Sequence, residues 1–193
     1  PQLRRWIFDG IFSTDWQPHV LEALDSIEDT PVVLLNRFQD LGRFNAVGWD
    51  HVEEGRKVAE FLFERGHRRI AYVASHPSNK QAQSLRLEGL RGYMESVGFP
   101  IEAGRVELME EGSPLYAALQ RVIDHEADAI YVPGHSRFAI EVMHILQNVM
   151  KLRVPTDISV IGEENPWWSS VANPPLTAVN VPYEKVALAA VDL

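Results

Sequence analysis

The stretch GHRRIAYVAS, Gly66 to Ser75, sets a histidine and two arginines against an apolar run. Three chemistries are open to it: a phosphate-binding patch, a catalytic loop, or the charged entry to a buried strand. His67 has no serine, cysteine or acid at a supporting sequence position, so catalysis there fails. The seven histidines, at 19, 51, 67, 76, 125, 135 and 144, include no pair spaced for a helical zinc site. His135 and Ser136 adjoin in PGHSRF, but sequence neighbours rarely bond as base and nucleophile, and a strand-to-helix turn is the favoured reading. No G-x-G-x-x-G fingerprint, phosphate loop, acidic calcium loop or G-x-S-x-G elbow is present. No catalytic residue, metal or cofactor is therefore expected, and the chain reads as a binder, not an enzyme.

Charge narrows the partner. The chain carries 18 Lys and Arg against 27 Asp and Glu, a net −9, and its arginine pairs are isolated. Phosphate backbones are held by clustered cations, so this stretch of protein is a poor nucleic-acid binder. With no cysteine there is no disulfide scaffold or thiolate metal site. No apolar run is long enough to span a membrane, and PQLRRWIFDG lacks the layout of a signal peptide. A cytoplasmic location is the expectation.

The elements that must position any site come from the spacing of apolar residues. Short Val- and Ile-rich runs at 9–13, 31–36, 46–50, 69–75, 106–109, 129–134, 158–163 and 176–181 read as strands. They are continuously apolar, as parallel strands covered on both faces are. Helical spacing fills 51–65, 82–97 and 137–151 between them. The alternation predicts a doubly wound α/β fold with right-handed crossovers. Gly66 then ends a helix, His67 to Arg69 turn, and Ile70 starts a strand; the arginines sit where a helix C-terminus favours positive charge.

Open parallel sheets bind ligands beyond the carboxyl ends of their strands. Those ends here are Ser13–Asp15, Asn36–Arg37, Trp49–Glu54, Ser75–His76, Met109–Glu111, Gly134–Ser136 and Glu163–Trp168. They hold carboxylates, amides and tryptophans, a set suited to a small polyhydroxylated ligand. Asp50, Glu53, Glu110, His135, Ser136, Glu164 and Trp167 are the candidates among them. Arg86, near the start of the next helix, can face the same space.

Two stretches go beyond pattern. GRKVAEFLFERGHRRIAYVASHPSNKQAQSLRLEGLRGYMESVGFP and LRVPTDISVIGEENPWWSSVANPPLTAVNVP resemble LacI/GalR-family transcription regulators in motif order and spacing. The resemblance covers most of the chain from about Asp9. It implies a type I periplasmic-binding-protein-like effector domain of two doubly wound parallel-sheet subdomains. The implied division is 1–66 for an incomplete N-terminal subdomain, 67–181 for the C-terminal one, and 182–193 for the return to the first. A small effector, a sugar or related metabolite, is implied between them. Arg86 in LRLEG matches the ligand-holding arginine, Glu164 in GEENP the usual aspartate, and Glu53 in DHVEEG falls near a polar cleft position. At YVPGHSRFAI the family pattern is broken, which makes His135 a candidate specificity element.

The resemblance further implies a homodimer whose operator DNA is bound through a helix-turn-helix that these residues do not include, so the chain reads as a portion of a regulator. A periplasmic sugar-binding protein of a transporter is the rival of the same fold. An enzyme on such a sheet is the second rival.

Overall fold

The computed structural model describes residues 8–14, 17–27, 30–36, 44–75, 80–110, 112–134, 136–163 and 166–193. It divides into two compact units, Pro1–Trp49 with Pro182–Leu193, and Asp50–Val181.

The first unit holds a parallel sheet of β1 (Ile11–Ser13), β2 (Val32–Leu35) and β3 (Asn45–Val47), in that order. Leu24 of α1 (Pro18–Asp25) packs with Val32 and Leu34 to form its core. The last helix, α7 (Tyr183–Val191), returns to this unit, where the Tyr183 ring meets Trp49 edge-on at 6.0 Å.

The second unit is built on β4 (Ile70–Ala74), β5 (Val106–Leu108), β6 (Ala129–Tyr131), β7 (Ser159–Glu163) and β8 (Thr177–Val179). All neighbours are parallel and the order is β5-β4-β6-β7-β8. The chain winds outward from β4 to β5, then crosses back to β6 on the other side. That reversal is a topological switch point, and the crevice at the carboxyl ends of the strands there is where such sheets take ligands.

Strand periodicity divides the core in two. Ala71, Val73, Ile130, Val132 and Val160 face α4 (Leu115–Asp124) and α5 (Ser136–His144). Ile70, Tyr72, Ala74, Ala129, Tyr131 and Ile161 face α2 (His51–Glu64) and α3 (Lys80–Ser96). Every residue of β4 and β6 is buried because helices cover both faces.

Seven of the strand runs read from the sequence each contain a strand among the described residues; the run 46–50 only overlaps β3, which starts one residue earlier at Asn45 and ends at Val47. Helix 137–151 differs: α5 ends at His144 and the chain widens into a π-turn over Ile145–Val149. The division between units also differs from the boundary read at residue 66. It falls at Trp49/Asp50, because α2 packs against α3 and the face of the second sheet. Contact there is close enough that a Cβ on Gly55 would collide with the Arg86 carbonyl, and one on Gly89 with the Val52 carbonyl.

The GHRR turn is the charged entry to a buried strand. Gly66 takes φ +92°, and the Arg68 guanidinium donates to the Phe63 carbonyl at 2.7 Å in the last turn of α2. It also lies 3.8 Å over the Phe63 ring. Asp128 Oδ2 accepts the backbone N–H groups of Arg68 and Arg69, both at 3.1 Å. Burial alone would raise the Asp128 pKa, but His67 and these N–H groups outweigh it and hold the carboxylate below its ordinary value.

Candidate functional site

At the carboxyl ends of β6 and β7 the second unit buries a polar cluster centred on Arg86. The helical phase of α3 puts Arg86 in line with Leu90 and Met94, which are sealed in the core. Arg86 is only 5% exposed. Its Nε donates to Glu54 Oε1 at 2.9 Å, and its Nη2 to Glu163 Oε2 at 3.3 Å. The Tyr131 hydroxyl donates to Glu54 Oε1 at 2.7 Å, while Glu54 Oε2 lies 3.3 Å from His51 Nδ1. The Gly134 N–H donates to Glu163 Oε2 at 2.9 Å, from a turn where Gly134 takes φ +97°. Beside them the Tyr72 hydroxyl donates to the Gln83 carbonyl at 2.8 Å, and its ring meets Tyr131 edge-on at 5.6 Å.

The electrostatics follow from two acids sharing one cation out of water. Burial opposes the charge on Arg86, but Glu54 and Glu163 outweigh it and the guanidinium stays protonated. Burial pushes the Glu163 carboxyl up to about 7; Arg86 pulls it back only in part, and the Glu54 charge adds to the rise. Burial, followed by Glu54, also holds the Tyr131 hydroxyl well above the usual phenol range, so it is a donor at neutral pH.

The structure assembles only part of the set expected from the sequence. Arg86 is at the centre. Asp50 instead caps α2, its Oδ1 accepting the Glu53 N–H at 2.9 Å. Glu53 lies on the outer face of α2, bonded by Arg56 at 2.6 and 2.9 Å and near Lys57; the Arg56 bonds lower its pKa. Ser136 is buried at the start of α5. Glu110 is exposed beyond β5, and Trp167, on the four-residue α6 (Pro166–Ser169), is 82% exposed. None of these five bonds Arg86 or Glu163. His135 and Glu164 lie outside the described residues.

The acids that do reach Arg86, Glu54 and Glu163, are each one residue from a named candidate. Phase would have found both. Glu54 is four residues before Val58 and eight before Leu62, on the buried stripe of α2, whereas Glu53 is off it. Glu163 shares strand parity with Ile161, which faces α2 and α3.

Comparison with known proteins places this arrangement. Residues 59–193 match the family model described as a periplasmic binding protein-like domain, and the chain belongs to that family. The Ribose operon repressor of Escherichia coli is 31% identical over 175 residues, covering 89% of this chain and 52% of that protein. The HTH-type transcriptional repressor PurR of Edwardsiella ictaluri is 29% identical over 189 residues, covering 95% and 54%. Among solved structures, the complex of the transcriptional regulator CelR with cellobiose superposes with a TM-score of 0.77 at 26% identity. That match covers 95% of this chain and 58% of the other. The chain thus spans about half the length of the curated relatives it matches. Its similarity to LacI-family regulators agrees with the motifs above. Among the described residues no helix is long and apolar enough to cross a membrane.

Proposed function

We propose that this chain is the ligand-sensing and dimerisation part of a bacterial LacI/GalR-type transcriptional regulator. It takes a small sugar-like effector and does not transform it. The observation that carries the reading is the buried Arg86–Glu54–Glu163 cluster, which gathers donors and acceptors at strand ends beside a switch point. The repressor relatives, and the CelR complex with a disaccharide, support the regulatory role and the ligand class.

In this reading the regulator works in the cytoplasm as a homodimer. Operator DNA is contacted by a helix-turn-helix carried outside these 193 residues. The effector acts by binding one arrangement of the regulator better than another. Only that difference in affinity can move the equilibrium, with coupling of about 1–3 kcal/mol in typical cases.

The test is calorimetric and thermal-shift titration with pentoses, hexoses, disaccharides and purines, followed by Arg86→Lys. The substitution keeps the charge between the carboxylates and removes the planar fork. Saturable binding by a sugar, weakened tenfold or more in the variant, is the expected result. Undiminished binding in Arg86→Lys would refute the role given to the guanidinium, and turnover of a bound compound would refute the non-enzymatic reading.

A further inference from the structure

Resting on the effector reading above, we propose that Glu163 is a positioning residue for the effector: its Oε2 ties the turn leaving β6 to Arg86. The two tied groups come from opposite sides of the switch point. The strand order β5-β4-β6-β7-β8 sets that point between β4 and β6, and sheets of this kind meet their ligands with the segments that leave the two flanking strands. Arg86 lies on α3, the helix that follows β4, and Gly134 lies in the turn that follows β6. Glu163 ends a third strand, β7, which pairs with β6. Its Oε2 accepts from Arg86 Nη2 at 3.3 Å and from the Gly134 N–H at 2.9 Å. One buried atom thus joins the segments that leave β4 and β6.

The turn needs such a tie. β6 is followed by Val132, whose N–H donates to the Ile161 carbonyl at 2.8 Å, and α5 starts at the buried Ser136. Between them Gly134 takes φ +97°, and a Cβ there would meet nothing among the described residues within 4 Å. A glycine with open space around it is free to change conformation, so packing does not wedge the turn on that side. The bond from its N–H to a carboxylate supplies the restraint, and charge assistance makes such bonds strong. Glu163 is itself well fixed, at 6% exposure on a strand of a sheet covered on both faces. Arg86 has a separate anchor, its Nε donating to Glu54 Oε1 at 2.9 Å. Loss of the Glu163 carboxylate therefore frees the turn while the guanidinium keeps a partner.

The experiment follows amide exchange by NMR, and binding of ribose, glucose and cellobiose by calorimetry, at pH 7 in wild type, Glu163→Ala and Glu163→Gln. Glutamine keeps an acceptor for both donors and alanine keeps none. In Glu163→Ala the Gly134 amide should exchange tenfold or more faster, while the amides of Tyr72 and Tyr131 stay within twofold. The sugar that binds wild type should bind the alanine variant tenfold or more weakly, and Glu163→Gln should recover most of both losses. Should Glu163→Ala not fold, Glu163→Asp, with the charge on a shorter side chain, is read the same way. An unchanged Gly134 amide, or exchange equally faster at Tyr72 and Tyr131, would overturn the positioning role. So would a glutamine variant that recovers neither loss. Faster exchange at Gly134 with undiminished binding would overturn its bearing on the effector and leave the effector reading standing. If none of the three sugars binds wild type, this inference falls together with the sugar-like ligand class beneath it.

Discussion

Arg86 and Glu54, on different helices and thirty-two residues apart, share a buried hydrogen bond of 2.9 Å from Nε to Oε1. The bond depends on how closely α2 and α3 approach. Gly55 follows Glu54 and sits against the Arg86 backbone; Gly89, three residues beyond Arg86, sits against the Val52 backbone. The two glycines clear the space in which a buried acid and a buried base can meet.

Removing the base should be costly. Arg86→Ala leaves Glu54 and Glu163 without their cation, and breaking a buried ion pair from one side costs about 3–5 kcal/mol. Urea denaturation of wild type and variant at pH 7 measures it. A loss under about 1 kcal/mol, the range of exposed pairs, would show that the carboxylates are not held by this guanidinium.

The helix contact makes a sharper comparison. Gly55→Ala and Gly89→Ala each press a methyl into a backbone carbonyl, and overpacking of this kind costs roughly 1–3 kcal/mol. Gly92, on an open side of α3 with nothing within 4 Å of its would-be Cβ, is the control. Gly92→Ala should stabilise the helix by up to about 1 kcal/mol. Thermal melts of the three variants should therefore move in opposite directions.

Glu163 should imprint a pH dependence on stability. Its carboxyl rises from 4.5 to about 7 on folding, so between those values the folded state keeps a proton that the unfolded state has lost. The unfolded state then binds fewer protons, and this contribution to stability falls as pH rises through the window. At about 1.4 kcal/mol per pKa unit, the fall is roughly 3 kcal/mol. Glu163→Gln should remove it, so the stability of the variant relative to wild type should climb from pH 4.5 to 7. A flat difference across that range would refute the raised pKa.

Asp128 should behave with the opposite sign. Its folded pKa is lowered from 3.8, so its contribution is present above that value and is lost as pH falls through the lower folded value. Asp128→Ala strips the Arg68 and Arg69 N–H groups of their shared acceptor, at about 1–3 kcal/mol if they are left unsatisfied. Denaturation curves at pH 7 and pH 3 check both halves: a full deficit at neutral pH, and a smaller one in acid.

Much of the second unit was legible in the residues. Runs such as RIAYVAS and ISVIGE are short, continuously apolar and β-branched, properties that belong to a strand covered on both faces whatever surrounds it. The GHRR turn was readable for a related reason, since a Gly stop and cations at a helix C-terminus act within a few residues. Arg86 was found by motif. Glu53 was chosen where Glu54 bonds Arg86, and Glu163, which also bonds Arg86, was not singled out, because a motif locates a segment and not the phase of each residue within it.

What the sequence determined by itself is the order of strands and helices and the family they spell, since these rest on local periodicity and local turn chemistry. Only the tertiary structure decided that α2 belongs with the second unit, and which two acids meet Arg86. Those outcomes turn on side chains from α2, α3, β6 and β7 arriving together out of water. There, a shift of one position along a helix or strand exchanges a buried face for a solvated one.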